Sequence, residues 1–114
     1  MEIARAISSH RFEEAFPYLA DDVSWTIVGA EPIAGKAAVI ATCEESAAYL
    51  SGVTTEFRRF RTVVGENAVV IDSLADYVGP DGEKSTVASC DIYDFVDGRL
   101  TSIVSYNIEV AGDA

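Results

Sequence analysis

The stretch that decides the fold runs as four segments, TTEFRRFRTVV (54–64), NAVVIDSLADYV (67–78), KSTVASCDIYDFV (84–96) and RLTSIVSYNIEV (99–110). Each is rich in β-branched and aromatic residues and alternates apolar with polar positions, the period of a half-buried strand. Their connectors, Gly65-Glu66, Gly79-Pro80-Asp81-Gly82 and Asp97-Gly98, carry short hairpin chemistry. Four strands joined this way predict an antiparallel meander.

Upstream of the meander the period changes. Ile3, Ala6 and Ile7, then Phe12, Ala15, Phe16 and Leu19, recur at helical spacing, with Ser8, Ser9 and His10 interrupting at a helix boundary. Pro17 either opens a further short helical piece or ends the second one. Asp21 and Asp22 introduce a strand through Val28 that puts Val23, Trp25 and Ile27 on one face. KAAVIATCEESAAYL (36–50) is dense in Ala, Glu and Leu and stops at Ser51-Gly52, which predicts a helix. Helices first and sheet second is the α+β order, with the helices covering one sheet face.

At 114 residues and 49% hydrophobic, the chain fits a single domain, 1–114, able to bury a core. A formal charge of −11 repels a phosphate backbone and argues against nucleic acid as partner. Arg58, Arg59 and Arg61 read as the wet face of one strand. Cys43 and Cys90 lie far apart without a CxxC spacing, so the expectation is reduced thiols, no metal site and no cofactor. The N-terminal segment carries Glu and Arg inside its apolar pattern, which predicts neither signal peptide nor membrane span and a cytoplasmic protein.

The succession LADDVSW, PIAGKAAV, a long helix, the meander and a terminal FVDGRLTSIVSYNIEV resembles the nuclear-transport-factor-2-like (NTF2-like) superfamily, with its SnoaL-type polyketide cyclases and ketosteroid isomerases. The resemblance implies a cystatin-like, cone-shaped curved sheet packed on N-terminal helices, and a pocket for a small apolar organic ligand. It also implies a homodimer formed through the outer sheet face.

Hairpin counting independently selects a face. A type I turn at Gly79-Pro80-Asp81-Gly82 with Gly82 left-handed pairs Gly79 with Glu83 and sets Asp91 opposite Ile71. One face then carries Val69, Ile71, Ser73, Ala75 and Tyr77 with Val87, Ser89, Asp91, Tyr93 and Phe95. Asp91 is the lone carboxylate there, and a carboxylate among apolar side chains is desolvated. By the resemblance it falls where ketosteroid isomerases carry an Asp kept neutral to donate to an oxyanion. It is the candidate catalytic group, with a structural acid bonded to a Tyr or Ser hydroxyl as the alternative. Candidate substrate-binding residues are Trp25, Ile27, Ile71, Ser89, Tyr93, Ser105 and Tyr106.

The departures from the resemblance are as informative. Ile27 or Val28 stands where the isomerases carry their base, and Ile3 near where they carry an oxyanion Tyr. Leu74 precedes Asp76 where the epoxide hydrolases need Arg. The last strand offers Ser105 and Asn107 where SnoaL-type cyclases hold an acid. A simple Asp97-Gly98 turn aims Ser102, Val104 and Tyr106 at the pocket, whereas one bulge aims Ser105 and Asn107 there. His10, at a helix break, is expected in solvent, and Cys90 on the outer face is expected to pack. GPDGEK is a hairpin turn without phosphate-loop spacing, and no nucleophile elbow supports a Ser/His/Asp triad. Two functions follow as expectations: an isomerase, cyclase or hydrolase using Asp91, or a binding or dimerisation module of the same fold.

Overall fold

A computed structural model describes residues 2–110, so the two ends of the expected 1–114 unit lie outside the described residues. The elements are α1 (Glu2–Ser8), a 3₁₀ helix (Phe12–Tyr18), β1 (Leu19–Ile27), β2 (Ile33–Ala34), α2 (Lys36–Leu50), β3 (Thr54–Val64), β4 (Ala68–Val78), β5 (Lys84–Val96) and β6 (Arg99–Val110). They form one open six-stranded sheet in the order β2-β1-β6-β5-β4-β3. β3 to β6 make the expected antiparallel meander. β1 then adds to β6 in parallel, so the sheet is mixed.

The N-terminal helices pack as their spacing dictates. Ala4 and Ile7 of α1 are buried together, and Phe12 and Ala15 of the next helix are buried three residues apart. The second piece, Phe12–Tyr18, is a 3₁₀ helix. Pro17 lies inside its last turn. β1 begins at Leu19, so the exposed Asp21 and Asp22 lie within the strand rather than ahead of it. Leu19, almost fully buried and paired with Leu100, anchors this earlier start, and an irregularity before Ser24 takes up the register.

α2 presents Val39 and Cys43, one turn apart, to the core. These meet Leu19, Val23, Ile71, Tyr93, Leu100 and Ile103 from the concave sheet face. Fully burying each such aliphatic side chain contributes about 1.5–3 kcal/mol relative to leaving it in water. On the outer face the three arginines of β3 reach β4 carboxylates. Arg58 lies 2.8 Å from Asp76, and Arg59 and Arg61 lie 3.1 and 3.5 Å from Asp72. Thr86 and Lys84 also reach Asp76. Its pKa is held below the usual carboxylate value first by the Thr86 hydroxyl and then by Arg58.

Two turns fix which residues face the helices. At the β4–β5 turn, Gly79 N–H donates to the Glu83 carbonyl at 2.8 Å, and Gly82 adopts φ 82°. Val78 consequently pairs with Lys84 and Asp91 with Ile71, as counting predicted. At the β5–β6 turn, Asp97 (φ 51°) and Gly98 (φ 78°) make the two-residue connection. Phe95 still pairs with Leu100, but Asp94 pairs with Ser102, leaving Thr101 as the extra residue of a bulge. That one residue sets Ser105 opposite Asp91 and Asn107 opposite Ser89. Tyr106 pairs with Cys90 on the outer face and is 47% exposed.

Candidate active site

Between the concave sheet face and the helices lies a cavity of about 590 Å³. Its floor is built by two cross-strand rungs. Asp91 and Ser105 form one, and Ser73, Ser89 and Asn107 form the next. Ile7, Ser8, His10 and Phe12 close one side, and Trp25 and Ile27 of β1 line another. Glu45, Ser46, Tyr49 and Leu50 come from the C-terminal half of α2. Tyr49 is largely solvent-exposed, so the cavity reaches the surface there.

A chain of hydrogen bonds converges on Asp91. The Ser8 hydroxyl donates to Asp91 Oδ2 at 2.8 Å. With its only hydrogen so used, Ser8 accepts from the Tyr93 phenol across 2.6 Å. From the other side Ser105 donates to Asp91 while accepting the Trp25 Nε1–H at 3.0 Å. Two hydroxyls thus meet one carboxyl, each backed by an aromatic donor.

Burial pushes the Asp91 pKa above the ordinary carboxylate value, against the opposing pull of the Ser105 and Ser8 hydrogen bonds and of His10. Tyr93, 1% exposed, is driven well above the usual phenol value by burial and then by the Asp91 charge, so it stays protonated as a donor. Burial lowers His10, while Asp91 pulls it back up. The Cys43 thiol is raised to about 11 by burial and then by Glu44, which leaves it protonated and inert.

Of the residues read from sequence, Asp91, Trp25, Ile27, Ser89, Tyr93 and Ser105 all line this cavity. Two do not. Tyr106 faces outward because the Thr101 bulge reverses the last strand. Ile71 does point inward, but it is fully buried in the core beneath the helices and takes no part in the cavity wall. His10 is also misjudged as a solvent residue. It is half-buried, lines the cavity and lies about 6 Å from the rings of Phe12, Phe57 and Tyr77.

Ser8 and His10 were absent from the expected site, and Asn107 entered it only as one of two registers. Ser8 was legible in principle, since it follows Ala4 by four residues on one face of a helix. These additions make the wall more polar than the expected oily cone. Ser89 donates to Asn107 Oδ1 at 2.8 Å, which turns the Asn107 amide nitrogen toward other partners. Among the described residues no group of three or more His, Cys, Asp and Glu could hold a metal ion, and no helix is long and apolar enough to cross a membrane.

The fold has counterparts among known proteins. The family model described as SnoaL-like domain matches residues 2–103. An NTF2-like protein of unknown function from Cytophaga hutchinsonii is 30% identical, with a TM-score of 0.83 over 94% of both chains. The LEH-like epoxide hydrolase of M. tuberculosis superposes with a TM-score of 0.66 at 20% identity, over 90% of this chain and 74% of its own. SalBIII, an epoxide hydrolase/cyclase-like enzyme with a role in pyran ring formation in polyether salinomycin, gives 0.69 at 14% identity over 94% and 85%. No curated protein matches the chain. With nearly its whole described length matched by the family model, and the NTF2-like fold shared with these structures, the chain belongs to the SnoaL-like domain family.

Proposed function

We propose that this protein is a cofactor-independent acid–base enzyme of the isomerase, cyclase or hydrolase kind, acting on a small organic molecule held between sheet and helices. The observation that carries the proposal is the Asp91 carboxyl, half-buried at the cavity floor with the Ser8 and Ser105 hydroxyls aimed at it. Burial favours the protonated acid, which can donate to a substrate oxygen. The relay keeps it oriented. The mixed wall suits a ligand with an apolar body and two polar groups, one at Asp91 and one near Asn107, about 7 Å further along β6. A relative named as an epoxide hydrolase and another named as hydrolase/cyclase-like support the reaction class.

The test is turnover of two probes, cyclohexene oxide and a β,γ-unsaturated cyclohexenone, by the native chain and by Asp91→Asn. Loss of about 10²- to 10⁴-fold in kcat, with an unchanged circular dichroism spectrum, is expected. Wild-type turnover in the variant would refute the role of Asp91.

A second reading, a ligand-binding module without turnover, draws on one feature. Ile27 lines the cavity where the isomerases carry a base. This reading expects ligand-induced thermal stabilisation that Asp91→Asn leaves intact. We also infer a homodimer through the outer sheet face, where Tyr106 and Ile108 are exposed. Light scattering on the native chain and on Tyr106→Asp tests this, and a monomeric native chain would refute it.

A further inference from the structure

His10 sits where helix geometry asks for glycine. After α1 ends, the His10 N–H donates to the Ile7 carbonyl at 3.0 Å and the Arg11 N–H to the Ala6 carbonyl at 2.7 Å. These are the paired bonds of a Schellman motif, whose left-handed position glycine usually fills. His10 fills it instead at φ 70°. A side chain at that position must justify the strained backbone, and such outliers gather at functional sites. Here the side chain is the sole imidazole in the sequence. It projects into the cavity that holds Asp91, with Phe12, Phe57 and Tyr77 around it.

We propose that His10 is a second catalytic residue of the cavity, the base that works opposite the Asp91 acid. The inference rests on the acid–base reading of the site given above. Asp91 of β5 pulls on the imidazole, the Tyr77 ring of β4 lies 6.0 Å from it, and Tyr93 of β5 with Glu45 and Tyr49 of α2 line the same cavity. Burial outweighs the attraction of Asp91 and favours the neutral imidazole, as a base requires.

The proton count closes. Asp91 gives its proton to a substrate oxygen, which keeps the electron pair of the bond that breaks toward it. His10 takes a proton from the substrate O–H, water O–H or C–H whose pair forms the new bond. Transfer of one proton from imidazolium to carboxylate then restores both side chains. This assignment supplies the base for which β1 offers only Ile27.

Two measurements on the full chain test it. The first is the pH dependence of carbethoxylation of the single imidazole by diethyl pyrocarbonate. The expected result is a reactive imidazole with a midpoint below 6.5. The second is turnover of the epoxide and enone probes by His10→Gly, which the left-handed backbone accommodates, and by His10→Gln. Both should lose about 10²- to 10⁴-fold in kcat, with free imidazole restoring His10→Gly alone. Wild-type turnover in His10→Gly beside an inactive Asp91→Asn would overturn the role of His10 and leave that of Asp91 standing. If the native chain turns over neither probe, the reaction class fails on its own and the first measurement still decides His10. An imidazole the reagent never reaches would overturn it.

Discussion

Replacing Asp91 with Asn should remove the loss of stability with rising pH that arises at this site, together with the protein's proton chemistry. Asp91 binds its proton more tightly in the folded chain, where burial raises its pKa, than in the unfolded chain near 3.8. The native state therefore holds an extra proton in the window between 3.8 and the raised value. The stability this contributes is complete below 3.8 and is lost as pH rises through the folded pKa. Each pKa unit of elevation corresponds to about 1.4 kcal/mol lost across the window. The variant has no such dependence at this site. Asn is also a poorer acceptor for Ser8 and Ser105, and hydrogen bonds to a charged group are worth about 1.5–3 kcal/mol each. The decisive quantity is therefore the slope, because the hydrogen-bond cost shifts the whole curve whereas the titration tilts it. Urea unfolding of both proteins from below pH 3.8 to mildly alkaline pH measures it. The wild-type stability relative to the variant should fall as pH rises. A flat difference, or one of opposite sign, would refute the claim that Asp91 is desolvated in the folded chain.

Other outcomes follow from the same coordinates. Ser8→Ala leaves the buried Tyr93 phenol without its partner, so it should cost about 1–3 kcal/mol in urea unfolding and raise the Asp91 pKa further by NMR titration. Deleting Thr101 should remove the bulge while Asp94 stays paired with Ser102 and Tyr93 with Ile103, so Ile103 remains buried and urea unfolding should show no large-to-small core penalty of about 2–5 kcal/mol. The Trp25–Ser105 bond should survive, so the emission of the single tryptophan should stay where it is, and a shift would refute the register. Asp76→Asn should blunt acid unfolding. Asp76 has a lowered folded pKa, so its contribution is present above 3.8 and lost as pH falls through the folded value. Melting curves of the two proteins over acidic pH would show the native chain losing more.

The meander, the α+β order and the inward face of β4 and β5 were determined by sequence, because a side-chain period of two and the turn at Gly79–Gly82 fix register by counting. Counting alone puts Asp91, Ser89 and Tyr93 on the inward face, where they line the cavity. The last strand was different. Asp97-Gly98 reads the same with or without a bulge at Thr101, and one unpaired residue exchanges Tyr106 for Ser105 and Asn107. The parallel partnership of β1 with β6 joins residues some eighty positions apart, a non-local pairing that no local pattern encodes.

The site itself was assembled by tertiary contact. Ser8 meets Asp91 across 83 residues, and Trp25 meets Ser105 across 80. His10 looked like a solvated break in a helix until its left-handed backbone aimed the ring into the cavity. Local chemistry settles which residues alternate and where a chain turns. Which hydroxyl orients a carboxyl, and how much water that carboxyl loses, depends on surfaces that meet only when the chain has closed on itself.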